Sequence, residues 1–344
     1  MREFISDEWK WDRPSSKQPL HVMVANQQRR VRMQYINSHV CATQLPASSI
    51  LWLDEHTTIS SPVLLFIQMA EIFSVPELVL LGYELCGDFA RSATNPFDGP
   101  VTDGITQATS VDELRHYMDS VDYVPGLVKA RIAVQYVADH AVSAPEAVLA
   151  TMYSLPPEES GYGMGPVSLN QRVDVSLDES TEDGQIGNAR SRYPDILFSF
   201  APLGINYDGE DHLDLRTLVR LAIQAVLSSD VDTEELTRNL LAKQEAIRAK
   251  YVDDIRRNRQ LASKGRIVFP VTKEDLYEHN GLDNLTRQIL SCAQEAFGID
   301  IRKYVKVLDN TQMSRDRRAL LASMLPSGRH QARTDRFSGY SKQK

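Results

Sequence analysis

Cysteine is scarce in this sequence: Cys41, Cys86 and Cys292 are the three among 344 residues. They are too few and too scattered for a disulfide scaffold or a zinc cage, and they point to a reducing, intracellular setting. Long apolar runs are missing too. The longest apolar stretch, around Pro62–Leu81, is broken by Gln68, Glu71, Ser74 and Glu77, which makes it too polar to span a membrane. The opening MREFISDEWKWDRP is charged and lacks the apolar core of a signal peptide. Together these features predict a cytoplasmic protein with no membrane partner. There is no G-x-x-x-x-G-K-[ST] and no dinucleotide fingerprint behind a strand. The glycine-rich Gly161–Gly165 reads as a loop, because no helix start follows it. No internal repeat is evident.

What is present is an ordinary globular balance, 42% apolar and 24% charged residues, in a chain long enough for two domains. The net charge of −8 argues mildly against a protein coated in nucleic acid. That average hides an asymmetry. Residues 301–344 carry a net +8, leaving −16 on the rest. A basic tail on an acidic body is either an electrostatic handle for phosphates or a solvated terminus.

Local signals divide the chain further. Residues 1–19 form a leader. Short β-type runs follow at His21–Val24, Val31–Tyr35 and Ser49–Leu53. Ser61-Pro62 predicts a helix to about Phe73, and Ser74-Val75-Pro76-Glu77 opens a second one through Leu85. Leu64, Leu65, Met69, Leu78 and Leu81 read as core, and Trp52 and Tyr83 as packing residues. Arg29, Arg30 and Arg32 suit either a phosphate or an exposed strand edge. Residues 91–109 read as a loop, and Ser110–Glu113 as a capping box before more helix. Ser143-Ala144-Pro145-Glu146 starts another helix, to about Tyr153. Residues 155–191 have little regular pattern and contain an acidic insertion near 172–190. Tyr193–Phe200 and Leu203–Asp208 then read as a hairpin around Ala201-Pro202. Helices over 214–229 and 232–263, the second closed by Gly265, precede a strand at Arg266–Val271. Helices near 283–297 and 313–324 complete the pattern. The expected organisation is a smaller α/β or α+β domain over 20–140, an α/β domain over 141–325 and a basic, disordered tail over 326–344.

The hairpin carries the candidate chemistry. Asp195 and Asp208 lie about equally far from its turn, so an antiparallel pairing sets them roughly opposite each other. Two carboxylates so placed repel unless a cation lies between them. His212 follows shortly after Gly209. Such a set can hold Mg²⁺ and activate a water; equally, the residues are two solvent-facing turn aspartates and a surface histidine. Arg256, Arg257 and Arg259 cannot all share one helix face. They suit phosphate contacts or a solvated surface.

Four segments in order resemble a known family. They are Ser143-Ala144-Pro145-Glu146; Tyr193–Phe198 (YPDILF) with Asn206–His212 (NYDGEDH); Asp254–Gly265 (DIRRNRQLASKG); and Arg266–Asp275 (RIVFPVTKED). Together they are similar to the very-short-patch-repair-like endonuclease domain, a branch of the PD-(D/E)xK restriction-endonuclease-like superfamily. The resemblance implies a central mixed sheet flanked by helices and hydrolysis of DNA phosphodiester bonds with Mg²⁺ or Mn²⁺. It implies Asp195 as central metal ligand, Glu146 and Asp208 beside the metal, and Asp208 and His212 flanking the attacked phosphate. It makes DNA the partner, in repair or defence, with Arg256, Arg257 and Arg259 available to phosphate. Asn206 stands where relatives place glutamate, and Asp208 takes the lysine position of the wider superfamily. A second reading is therefore a catalytically inactive, DNA-binding or antitoxin-like regulator. Residues 21–86 more weakly resemble the region preceding such domains, itself related to abortive-infection type IV antitoxins, which implies a protein partner for the N-terminal domain.

Overall fold

A computed structural model describes residues 14–92, 95, 96, 98–175, 191–208 and 233–326, without the side chains of 233–237, 239, 240 and 243. The acidic insertion from 176 on, the expected helix over 214–229, His212 and all but the first residue of the basic tail lie outside these residues.

The described chain holds twelve short strands and ten α-helices. The strands are β1 (Leu20–Val24), β2 (Ile36–Val40), β3 (Ile50–Trp52), β4 (Thr58–Ser60), β5 (Phe89–Arg91), β6 (Val101–Asp103), β7 (Val167–Leu169), β8 (Val173–Asp174), β9 (Ser191–Arg192), β10 (Ile196–Phe198), β11 (Leu203–Asp208) and β12 (Ile267–Thr272). The helices are α1 (Pro62–Met69), α2 (Val75–Leu85), α3 (Val111–Asp119), α4 (Leu127–Ala133), α5 (Ala144–Ser154), α6 (Thr233–Ser263), α7 (Lys273–Tyr277), α8 (Gly281–Phe297), α9 (Arg302–Asp309) and α10 (Thr311–Met324). This is a mixed α/β protein with small sheets. None of its described helices is long and apolar enough to cross a membrane.

The chain forms two compact units and enters each twice. The first holds the residues up to Ile72 with Glu113–Arg131, the second Phe73–Asp112 with Ile132 onward. The sequence pattern assigns 73–112 to the first region. Hydrogen bonds instead knit that segment to the second unit: Tyr83 Oη donates to the Tyr136 carbonyl at 2.8 Å, and the Asp88 amide to that of Ala141 at 2.7 Å.

In the first unit β1 and β2 pair in parallel, with Leu20 beside Ile36. A parallel pair needs a return crossover, and the chain between 25 and 35 supplies it. That is why Val31–Tyr35, β-like in composition, is not a strand and the pairing starts at Ile36. Helix α1 stops at Met69, four residues short of expectation. Its buried residues Leu64, Phe66 and Ile67 form the core with Leu114, Tyr117 and Met118. Leu65 and Trp52 are exposed, Trp52 at 72%. A hydrogen bond of 2.6 Å joins Ser49 Oγ to Tyr117 Oη inside this core.

The second unit is built on one four-stranded sheet, in the order β12-β11-β10-β7. β10 runs antiparallel to both β7 and β11, and β12 lies parallel to β11, with Leu203 beside Ile267 and Asp208 beside Thr272. Helix α5 precedes the sheet in sequence, and α6 lies on the crossover between β11 and β12. The α5 start follows its signal: Ser143 Oγ donates to Glu146 Oε1 at 2.8 Å, and Pro145 lies in the first turn. Helix α6 ends at Gly265, whose φ of +72° lets the Arg266 amide turn back to the Leu261 carbonyl at 3.0 Å. Tyr153 of α5 meets Phe198 of β10 edge-on, with ring centroids 5.1 Å apart.

A buried ion pair ties the C-terminal helices to this core. Arg317 is 1% exposed, and its fork binds both oxygens of Asp283 at 3.0 and 2.9 Å. Tyr162 Oη adds a third bond at 2.8 Å and Ser314 Oγ a fourth at 2.8 Å. Burial raises the Asp283 pKa, but these donors outweigh it and hold the carboxyl below the usual carboxylate range. Replacing Asp283 by alanine strands a buried guanidinium. We expect a loss of about 3–5 kcal/mol in stability, read from urea unfolding of wild type and Asp283→Ala; a loss under about 1 kcal/mol contradicts this account of the pair.

Candidate active site

Asp195 sits just before β10, and two neighbours fix its backbone. Its amide donates to Asn206 Oδ1 at 3.0 Å, and its carbonyl accepts from the Asn170 amide at 3.1 Å. Its carboxyl accepts from the Tyr207 amide at 2.6 Å. Asn206 lies on β11 and is 2% exposed. Asn170 follows β7 with a left-handed φ of +48°, a conformation asparagine tolerates better than most residues.

Asn170 also reaches the second carboxylate. Its Nδ2 donates to Glu146 Oε2 at 3.0 Å and to the His140 carbonyl at 2.8 Å. Glu146, on the first turn of α5, is 5% exposed. Besides Asn170 it takes bonds from Ser143 Oγ and from the Val142 amide at 3.2 Å. A single asparagine thus links Glu146 and Asp195, the two acids that the sequence places 49 positions apart.

The electrostatics follow from burial. Burial pushes Asp195 up, and the nearby Glu146 charge adds to it. The Tyr207 N–H and the Arg257 guanidinium pull the other way, Asp208 raises it slightly, and the result is about 7. Burial also raises Glu146, against the bonds from Asn170, Ser143 and Val142. A pair of buried carboxylates with raised pKa values, opposed by one cation, is a common mark of a functional site.

The register differs from the symmetric expectation. Ile196 pairs with Ile205 and Leu197 with Gly204, so the turn centres on Phe200-Ala201, one residue earlier than Ala201-Pro202. Continuing that register puts Asn206, not Asp208, opposite Asp195. The change is two residues, so Asp208 keeps the same face and lies one diagonal further on. Of the expected arginines, Arg256 and Arg259 are exposed on α6. Arg257 is half-buried, with Nη2 on Asp254 Oδ1 at 3.1 Å.

Among the described residues no group of three or more His, Cys, Asp and Glu is gathered tightly enough to hold a metal by itself. The donor chemistry still suits a hard divalent cation. Magnesium keeps several waters and takes one or two carboxylates plus substrate phosphate oxygens, and Asp195 and Asp208 share one sheet face. Glu146, whose two oxygens already accept hydrogen bonds, suits holding a water more than binding the ion. The buried Asn206 Nδ2 has no hydrogen-bond partner among the described residues, a donor that a bound ligand can take up.

A scan of protein-family models, a search of curated proteins and a search of solved structures each find no match to this chain. The site therefore rests on its own geometry. Asn170 is the residue of this candidate site that the sequence pattern did not single out. Its one signal, an asparagine ending a three-residue strand, has no force until that strand is recognised.

The raised Asp195 pKa has a testable consequence. The folded value, about 7, lies above the unfolded one of 3.8. Between those values the native state holds the extra proton, so ionising Asp195 costs stability as pH rises from about 4 to about 7. Asp195→Asn keeps an acceptor for the Tyr207 amide and removes that charge. It is expected to be roughly 1–3 kcal/mol more stable than wild type at pH 8, with the difference vanishing below pH 4. Equal pH profiles for the two proteins in thermal or urea unfolding contradict the raised value.

Proposed function

We propose that this protein is a metal-dependent DNA endonuclease with a restriction-endonuclease-like core, acting in the cytoplasm in repair or defence. The observation that carries the reading is the coupled carboxylate pair Glu146 and Asp195, joined through Asn170 at one end of the four-stranded sheet. Element order supports it: a helix bearing Glu146, three antiparallel strands with Asp195 before the second and Asp208 ending the third, a helix, then a parallel strand. In this reading Asp195 and Asp208 hold Mg²⁺ or Mn²⁺, and Glu146 orients the attacking water. The resemblance also gives His212 a place beside the phosphate, but that residue is outside the described chain. When bound, the metal supplies Lewis-acid activation of the phosphoryl oxygen and of the water. Hydrolysis joins the water oxygen to phosphorus, breaks one phosphorus–sugar oxygen bond and returns a proton to the departing oxygen. The asparagines do the positioning: Asn206 and Asn170 fix the Asp195 backbone on both sides, so its carboxylate pays less reorganisation when the ion arrives.

Asn206 also favours a second reading. A neutral residue stands beside Asp195 and its oxygen is already engaged by the Asp195 amide, which suits a DNA-binding regulator on an inactive scaffold.

Two measurements on pure protein decide. Calorimetric titration of Mn²⁺ into wild type and Asp195→Ala is expected to show binding that the substitution removes. Nicking of supercoiled plasmid, or cleavage of mismatched, branched or single-stranded DNA, is expected with Mg²⁺ or Mn²⁺, to stop with EDTA, and to fall by a factor of about 100 or more in Asp195→Ala. Cleavage indifferent to Asp195 overturns the reading. DNA binding with neither metal binding nor cleavage selects the regulator.

A further inference from the structure

Helix α6 faces the candidate site with one stripe of side chains, and Arg192 shows which stripe. This arginine lies three residues before Asp195. Its guanidinium clasps Asp253 with two bonds of 2.9 and 2.8 Å, and its Nε donates to Gln260 Oε1 at 2.7 Å. Positions 253, 257 and 260 lie at i, i+4 and i+7, on one face of a helix. Arg257 therefore lies between the two residues that hold the strand leading into Asp195. Arg256 and Arg259 sit about 100° and 200° around the helix and are exposed. The helix is seated by Leu261, fully buried against Val175 and Val268.

Two polar atoms without a partner among the described residues belong to Asn206, beside Asp195, and to Arg257. Four buried side-chain atoms among the described residues have no hydrogen-bond partner. One belongs to Asp54 in the first unit; the others are Asn206 Nδ2, Arg257 Nε and Asn258 Oδ1. A buried orphan costs roughly 1–3 kcal/mol, and two of them, Asn206 Nδ2 beside Asp195 and Arg257 Nε on the helix face held by Arg192, are donors that a ligand can take up. Meanwhile β11 carries no cation: Asn206, Tyr207 and Asp208 end it. The charged residues on α5 and the four strands of this sheet are Glu146 and Asp208, both negative.

We propose that Arg257 is the phosphate-binding cation of this centre, reaching it from α6, and that Arg256 and Arg259 have no part in it. The proposal rests on the nuclease-fold reading for its ligand class, a DNA phosphodiester. The guanidinium fork is suited to two phosphate oxygens, and its Asp254 partner holds it in place without closing all five donors.

Two readouts of opposite sign separate this role from a structural one. Arg257→Gln, Arg257→Lys and Arg256→Gln are compared with wild type, with thermal melts confirming that each is folded. The first readout is Mn²⁺ affinity by calorimetry. Removing a positive charge beside the carboxylates is expected to tighten Mn²⁺ binding about threefold in Arg257→Gln, where misfolding would weaken it. The second is binding of fluorescein-labelled duplex and single-stranded DNA by anisotropy in Ca²⁺. Arg257→Gln is expected to lose at least about tenfold in affinity, with Arg257→Lys in between and Arg256→Gln within about twofold of wild type. If wild type binds DNA and Arg257→Gln matches Arg256→Gln, the proposal is overturned and the nuclease reading stands. If Arg257→Gln loses DNA but no variant cleaves, the proposal stands and the catalytic reading falls. If wild type binds no DNA in either form, both fall.

Discussion

The second unit is organised around the cost of keeping two carboxylates together out of water. Glu146 is 5% exposed and Asp195 is pushed to about 7. Among the described residues no ion pair neutralises either; both are held by neutral donors. Three bonds converge on Glu146, and the backbone of Asp195 is gripped from both sides. Neutral amides lower the penalty without removing the negative potential. An arginine or lysine bonded to either acid would satisfy it and close the site, as Arg317 does for Asp283. The contrast between these two acidic centres in one unit separates a structural carboxylate from a poised one. Asp283 is satisfied and held below the usual range, while Asp195 is under-satisfied and raised well above it.

How much of this was legible in the sequence depends on how local the determining interaction is. Helix starts were legible because a cap is a contact over three residues. Ser74 with Glu77 and Ser143 with Glu146 close as their spacing requires, each with a proline in the first turn. The end of α6 was legible because Gly265 supplies a positive φ that side chains resist. The strands were harder. β7 has three residues, and β8 and β9 two each, too short for alternation to register. Their partners lie tens of residues away, so nothing local announces them. With β7 unseen, Asn170 had no reason to stand out. Helix α9 escaped notice because its N-cap position holds Ile301, and the side chain that takes the Arg302 amide, Asp300 at 3.0 Å, stands one residue earlier.

The candidate site shows the same division. The acids were picked out by type and spacing, but their partnership was not. A shift of one residue in the turn centre exchanged Asp208 for Asn206 opposite Asp195. Face was preserved because pairing moves by two when the centre moves by one. Asn206, read from sequence as a carboxylate lost, is in place a backbone clamp: its Oδ1 receives the Asp195 amide. Aspartate or glutamate there would accept that bond as well, and would bring a third negative charge to a pair already raised in pKa. The neutral amide therefore relieves repulsion at the same time as it withholds a metal ligand.

Seating the long α6 helix is the remaining requirement, and magnitudes decide what does it. The Arg192–Asp253 pair has good bidentate geometry, but the Asp253 side chain is 56% exposed. Such a pair contributes on the order of 1 kcal/mol or less, and salt weakens it. Leu261 is fully buried against Val175 and Val268, and burying a leucine contributes roughly 1.5–3 kcal/mol. The apolar contact sets the distance of the helix from β12, and the arginine clasp sets its rotation, because Asp253 and Gln260 must both face Arg192. Rotation is what matters for the carboxylates. A turn of 100° about the helix axis exchanges Arg257 for Arg256 or Asn258 at the inward position, so a weak surface ion pair selects which side chain faces the acids while a hydrophobic contact supplies most of the energy.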